Sequence, residues 1–135
     1  MNIEYVMERD PKEDRSIVLL HGDDPGAVAA LAEAVRSLAA GGVERVAVHQ
    51  TPGFRSVRGT ELSLCLGPTD TGVALVRPPG TFEWSAPAAR WTELADFLHP
   101  FCSRISANSF QYLEDGITSG IEFMISIKRF GHPMA

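Results

Sequence analysis

The two halves of this chain carry the same order of predicted secondary structure, and this limits the possible folds more than any single motif does. Each half shows two strand patterns, then a helical pattern, then two further strand patterns. We assign the first unit to residues 1–67, the second to 68–130 and a tail to 131–135, because Gly67-Pro68 interrupts the apolar pattern near the midpoint. Repeated units usually bury their apolar faces against each other. We therefore expect residues 1–135 to form one globular domain.

Period-two alternation of apolar residues predicts the strands, and apolar recurrence at helical spacing predicts the helices. In the first unit the predicted strands are residues 3–7, 16–21, 44–50 and 60–66, and the predicted helix is 24–40. In the second unit the predicted strands are 73–77, 81–84, 107–113 and 120–128, and the predicted helix is 85–102. The segment 16–21 is strongly apolar, which favours a central position in a sheet.

Residues that favour helix ends flank both helical segments. Asp24 followed by Pro25 is typical of an N-cap and a first helical residue. Ser85 takes the corresponding cap position before the second helix. Pro100 lies late in that second segment, so we expect the helix to kink or stop there.

The two units match best in their last two strands. Gln50 precedes Glu61 by eleven residues, and Gln111 precedes Glu122 by the same interval. Beyond each glutamate the apolar alternation resumes in phase. This agreement predicts an α+β fold made of a tandem ββαββ repeat with a pseudo-two-fold axis. We expect about eight strands, mostly antiparallel, in two sheets or one, with two helices packed on one side. The alternative is two unrelated halves rich in hairpins.

Charge and composition exclude several classes of protein. The net charge is −5 and the basic residues are scattered, whereas a nucleic-acid-binding face needs clustered positive charge. No apolar run approaches the roughly 20 residues that span a bilayer, and the first residues do not resemble a signal peptide. We therefore expect a cytoplasmic protein, in which Cys65 and Cys102 are reduced and act as small buried side chains.

A candidate catalytic or metal-binding group lies around the start of the first helix. If the strands before and after that helix were parallel, His21 and His49 would lie at the same sheet edge, next to Asp23. Two imidazoles and a carboxylate can bind a divalent metal or perform acid–base chemistry. The alternative is a surface edge with a capped helix. The spacing lacks the tight interval of known metal motifs, so we predict no metal and no cofactor.

The matched residues of the two units form a second candidate site. Glu61 and Glu122 would form a carboxylate pair if the pseudo-two-fold axis brought them together, with Gln50 and Gln111 beside them. Alternatively, these four residues occupy outward-facing strand positions, where they discourage pairing with another sheet edge.

Two loops supply a third candidate, a protein-binding surface. Arg55 and Arg58 lie in one predicted loop, and Glu114 and Asp115 lie in a predicted turn. Loops carry recognition more often than buried strands do. Trp84 and Trp91 flank the start of the second helix, where they either pack in the core or form an aromatic ledge.

Part of the second unit resembles a known group of proteins. The residues concerned are Trp91-Thr92-Glu93-Leu94-Ala95-Asp96-Phe97-Leu98, Phe110-Gln111-Tyr112-Leu113 and Gly120-Ile121-Glu122. These segments are similar to small bacterial hypothetical proteins, some of which resemble immunity proteins of toxin systems. The resemblance covers less than half of the chain and defines no catalytic residues. It implies a non-enzymatic protein that binds another protein.

Three functions follow from these patterns. The first is a protein-interaction module that binds a protein partner or forms a homodimer. The second is a small-ligand binder that uses a groove between the two units, since seams between repeats are natural pocket sites. The third is a hydrolase or metal-dependent enzyme that uses His21, His49 and Asp23. The sequence predicts neither a nucleic-acid partner nor a membrane partner.

Overall fold

The computed structural model describes residues 1–8, 14–103 and 110–127. Within them the first predicted unit contains β1 (Asn2–Glu8), β2 (Arg15–His21), α1 (Pro25–Ala39), β3 (Arg45–Ala47), a 3-10 helix (Val48–Gln50), β4 (Arg55–Ser56) and β5 (Glu61–Leu66). The second contains β6 (Val73–Arg77), β7 (Thr81–Ala86), α2 (Ala88–Leu98), a 3-10 helix (His99–Cys102), β8 (Phe110–Glu114) and β9 (Ile121–Ser126). The start of the predicted strand 107–113, residue 128 and the tail 131–135 lie outside the described residues.

The strands form two mixed sheets, so the protein is an α+β protein. One sheet has five strands in the order β4-β1-β2-β9-β8, and the other has four in the order β3-β5-β7-β6. The strand β2 is central in its sheet, as its apolar sequence predicts. The prediction of two four-stranded sheets or one eight-stranded sheet missed β4, a strand of only two residues.

The two hairpins of each predicted unit lie in different sheets. In the five-stranded sheet β2 runs parallel to β9, with Ile17 opposite Glu122. In the four-stranded sheet β7 runs parallel to β5, with Thr81 opposite Glu61. Each sheet is thus built around one parallel contact between a strand of the first unit and a strand of the second.

Local sequence explains where the helices begin and end. The Asp24 side chain accepts a hydrogen bond from the Ala27 backbone at 3.1 Å, as predicted for an N-cap. The second helix differs from its prediction, because Ser85 lies in β7 and Pro87 takes the cap position without a side-chain bond. The α-helix ends at Leu98 and continues as a 3-10 helix, which agrees with the expected interruption near Pro100.

One apolar core joins both helices to the inner faces of both sheets. Trp84 and Trp91 are fully buried in it, with ring centroids 4.7 Å apart in an edge-to-face arrangement. Leu62 and Leu64 are also fully buried, so the predicted alternation in β5 is confirmed at these two positions. Tryptophan and leucine side chains therefore fill the seam between the predicted units.

The outer faces of the two sheets differ. A second buried cluster lies on the outer face of the five-stranded sheet and consists of Val6, Ile17, Leu19 and Met124. The outer face of the four-stranded sheet carries polar side chains instead. These include Glu61, Ser63, Thr81, Glu83 and Ser85.

The expected arrangement of the strands around the first helix is wrong. Because β2 belongs to the five-stranded sheet and β3 to the four-stranded sheet, they are not parallel neighbours. His21 ends β2, whereas His49 lies in the 3-10 helix after β3. The two histidines therefore do not share a sheet edge.

Candidate functional site: the open edge of the four-stranded sheet

The strand β6 forms an open edge of the four-stranded sheet. Its one strand neighbour in the described part of the chain is β7, which it pairs antiparallel. The turn that follows contains Pro78 and Pro79, and proline has no backbone N–H to continue a strand ladder. On the outer side, β6 presents backbone donors and acceptors that no strand of the described residues uses.

Apolar side chains are exposed along this edge. Leu75 is 43% exposed and Val76 is 55% exposed, although both belong to a strand. The pairing register shifts between Leu75 and Arg77, which is the irregularity that a bulge produces. The buried end of the strand is Val73, so the exposed apolar surface lies in its second half.

A loop from the opposite sheet reaches the beginning of β6. A Cβ atom on Gly72, whose φ is +65°, would lie only 2.9 Å from Ser119 Oγ. This loop connects β8 to β9 and carries Ile117, which is 86% exposed. It also carries the exposed Asp115, whose carboxylate accepts a hydrogen bond from the Ile117 backbone at 3.0 Å.

Charged side chains mark the other end of the edge. The Arg77 guanidinium lies 3.6 Å from a Glu61 carboxylate oxygen and is 74% exposed. Glu61 also accepts a hydrogen bond from the Thr81 hydroxyl at 3.1 Å. An exposed arginine therefore lies at the end of β6, and an exposed aspartate lies on the loop near its beginning.

The corresponding edge of the five-stranded sheet is closed by the chain itself. There β4 pairs parallel to β1. The Arg55 backbone donates to the Met1 carbonyl at 2.8 Å, and the Val57 backbone donates to the Ile3 carbonyl at 2.9 Å. Further along β1, the Tyr5 backbone donates to the hydroxyl of Thr60 at 3.0 Å.

Arg58 strengthens this closure. Its guanidinium lies 2.9 Å from Glu4, a carboxylate that is 3% exposed, and it donates to the Tyr5 carbonyl at 3.2 Å. The Arg58 backbone has a φ of +52°, an uncommon conformation for a residue with a side chain. The segment around Arg55 and Arg58 therefore covers the edge of β1, while both arginines remain exposed.

His21 and His49, two residues of the predicted catalytic group, have different hydrogen-bond partners. His21 Nε2 lies 3.0 Å from the buried Glu4 carboxylate. His49 Nδ1 accepts a hydrogen bond from the Leu62 backbone at 3.1 Å. Asp23 follows β2 in the turn that precedes α1. Within residues 1–8, 14–103 and 110–127, no three His, Cys, Asp or Glu side chains could hold a metal ion together.

The predicted carboxylate pair is divided between the two sheets. Glu122 in β9 accepts two hydrogen bonds from Arg15, at 2.7 and 3.0 Å, and these bonds raise the pKa of the Arg15 guanidinium. Glu61 lies in β5 of the other sheet. Each carboxylate thus lies beside its own arginine, Glu61 beside Arg77 and Glu122 beside Arg15.

The matched glutamines also differ in their surroundings. Gln111 lies in β8, whereas Gln50 lies in a 3-10 helix rather than in the predicted strand. Gln50 lines a surface cavity of about 490 Å³ between α1 and β3, together with Val43 and Arg45.

The predicted turn at Glu114 is also different in the structure. Glu114 ends β8, is 8% exposed and lies 3.3 Å from Arg90. Burial raises the pKa of its carboxyl group. The Arg90 guanidinium lies 4.8 Å from the Trp84 ring and 3.4 Å from Asp70, so it connects β8 to the loop that precedes β6.

The two cysteines lack the environment of reactive thiols. Both are free, and burial raises the pKa of the Cys65 and Cys102 thiols. A raised pKa lowers the fraction of thiolate, which is the nucleophilic form.

Sequence reasoning did not single out Leu75, Val76 and Arg77. A weak signal was present, because prolines and a charged residue at the end of a short strand are typical of sheet edges. The signal does not say which edge remains open, since that depends on where the other loops pack.

None of the helices in the described residues is long and apolar enough to cross a membrane. Comparison with known proteins gives no family: no family model, no curated protein and no solved structure matches this chain.

Proposed function

We propose that this protein is a non-enzymatic, cytoplasmic interaction module that binds an extended segment of another polypeptide along the outer edge of β6. The observation that carries the proposal is the exposure of Leu75 and Val76 on a strand with one strand neighbour in the described structure. Strand addition at a sheet edge uses backbone hydrogen bonds for affinity and side-chain contacts for specificity. The edge of β6 offers both backbone hydrogen-bonding groups and exposed apolar side chains.

The internal repeat supports this proposal. We infer that the two units are related by a pseudo-two-fold axis and exchange hairpins, so that β6 is the counterpart of β1. The equivalent pairings support it, since Ile3 lies opposite Leu20 in one sheet and Val73 lies opposite Trp84 in the other. In the first unit an extended segment of the same chain occupies the outer edge. A comparable segment from a partner would cover the outer edge of β6 in the second unit.

The packing gives less support to the two other functions. A groove binder needs an open seam, and Trp84 and Trp91 occupy the core there. A hydrolase needs an activated nucleophile or a metal, and burial raises the pKa of both thiols. The separate environments of His21 and His49 give no shared metal site.

Copurification with matched variants tests the proposal. Val76→Lys places a charge on the exposed apolar edge. Val43→Lys places the same charge on another apolar residue, which is 40% exposed and lies beside β3. A genuine partner is retained by the wild type and by Val43→Lys, is lost with Val76→Lys, and binds directly once purified. Amide exchange of residues 73–77 then slows in the purified complex.

A partner that binds both lysine variants equally would place the interaction on another surface. Such a result would remove the role of β6.

A further inference from the structure

We infer that the open edge of β6 pairs antiparallel with β6 of a second copy of this chain, which joins two four-stranded sheets into one continuous sheet. This inference rests on the proposed function and names its partner. An isologous interface of this kind uses the same residues on both copies. The argument depends on the charges and the apolar side chains along the edge.

Antiparallel self-pairing brings the apolar part of the edge together. If Leu75 lies at the two-fold axis, Leu75 of one copy lies opposite Leu75 of the other, and Val76 lies opposite Ala74 and diagonal to the other Val76. These side chains are 43% and 55% exposed, so pairing would remove apolar surface from water. Cross-strand contacts between branched apolar side chains stabilise antiparallel pairs.

The position of Arg77 favours the antiparallel direction. Arg77 lies two residues beyond Leu75, so the two copies of Arg77 would be separated along the strands by four residues, or roughly 14 Å. Parallel pairing would instead place them side by side. Like charges directly opposite each other destabilise a sheet. The charge of Arg77 therefore favours antiparallel over parallel pairing of β6 with the β6 of a second copy.

Charge complementarity supports a second copy as the occupant. Antiparallel pairing places the beginning of β6 in one copy beside the end of β6 in the other. The loop that carries the exposed Asp115 and Ile117 packs at that beginning, because Ser119 lies against Gly72. The end carries the 74% exposed Arg77. Each Arg77 would thus approach the Asp115 loop of the other copy, twice per dimer.

The edge contact is short, so we expect a weak, concentration-dependent dimer. Interfaces of small area are typical of transient complexes. Sedimentation equilibrium of the full chain over a wide concentration range is the direct measurement. The wild type and Val43→Lys should approach twice the monomer mass at high concentration, whereas Val76→Lys should remain a monomer.

A charge exchange gives a second, independent test. Arg77→Glu alone and Asp115→Lys alone should each raise the dimer dissociation constant by about tenfold, equivalent to ~1.4 kcal/mol. The double variant should return it towards the wild-type value, because the complementary pair is restored with reversed sign. Recovery in the double variant is not expected from loss of folding.

Three results would overturn self-pairing. One is a wild type that remains monomeric at every concentration, and another is an unchanged dimer in Val76→Lys. The third is a double variant as weak as the two single variants. A monomeric wild type that still captures another protein in a Val76-dependent way would reject self-pairing and leave the proposed function standing. A monomeric wild type with no such partner would remove both.

Discussion

The outer edges of β1 and β6 occupy comparable positions in their sheets but differ in how far other parts of the chain cover them. The edge of β1 is covered by β4 and by the residues around Arg58 and Thr60, all from the same chain. Among the described residues, β9 and the loop before it approach β6, the loop at the beginning of the strand, and Leu75 and Val76 are exposed beyond that point. An open edge with apolar side chains is a liability unless a partner uses it.

The difference arises from the loops that follow the third strand of each predicted unit. In the first unit the segment between the 3-10 helix and β5 is long enough to include β4. In the second unit β8 continues to Glu114, and the connection from Glu114 to Ile121 forms no strand in the structure. Because the matched intervals from Gln50 to Glu61 and from Gln111 to Glu122 are equally long, the two segments differ in where the preceding strand ends, and not in their number of residues.

The largest expected loss of stability comes from removing Trp84, the buried side chain of β7 that lies opposite Val73 of β6. Trp84→Ala should lower the free energy of unfolding by about 3–5 kcal/mol, because a fully buried aromatic side chain leaves a cavity. It would also remove the hydrogen bond from the indole nitrogen to Asp70, at 2.7 Å. Urea unfolding measures the change, and Leu20→Ala at the comparable position beside β1 should cost about 2–5 kcal/mol. An effect below about 1 kcal/mol in Trp84→Ala would contradict the described core.

A smaller effect is expected when the closed edge is opened. Thr60→Val keeps the side-chain shape but removes the acceptor for the Tyr5 backbone N–H, and should cost about 1–3 kcal/mol. The Tyr5 amide should then exchange faster with solvent.

Thr92→Val in α2 serves as the control for this variant. Thr92 is exposed and its hydroxyl donates within its own helix, so its replacement should change stability little. Equal losses in both variants would show that Thr60 has no special role in closing β1.

The Glu114 carboxyl group, at the end of β8, predicts a modest pH dependence of stability. Burial raises its folded pKa above the ordinary value of 4.5. Its protonated form therefore stabilises the folded protein below that value, and the contribution is lost as pH rises through the raised pKa. Glu114→Gln cannot ionise, so its stability relative to the wild type should increase over this window. Chemical unfolding at several pH values measures the trend, and the opposite sign would show that the ion pair with Arg90 dominates.

The smallest expected change in stability comes from the open edge itself. Val76→Lys should alter the free energy of unfolding of the monomer by no more than about 0.5 kcal/mol, because Val76 is 55% exposed. Thermal unfolding at low protein concentration measures it. A large loss would mean that Val76 supports the fold and would remove the contrast between the two edges.

The sequence predicted those parts of the candidate region that depend on short-range patterns. It predicted the strand at 73–77 with its turn at Pro78, and it placed Asp115 in a turn. It placed Arg55 in a loop and Glu114 in a turn, whereas these residues lie in β4 and β8. It did not predict that Arg58 pairs with the buried Glu4 or that Glu114 is buried beside Arg90. These contacts join residues that are far apart in the chain, and one sequence carries no local signal for such partners.

The sequence by itself determined the α+β composition, the position of most strands, the Asp24 cap and the apolar character of β2. These features follow from side-chain periodicity and backbone preference within a few residues. Only the tertiary structure decided that each sheet combines hairpins from both halves, that β2 and β3 lie in different sheets, and that β4 covers β1 while β6 remains open. The physical reason is that a strand pattern specifies which face is apolar, whereas its neighbours depend on how distant loops and helices pack.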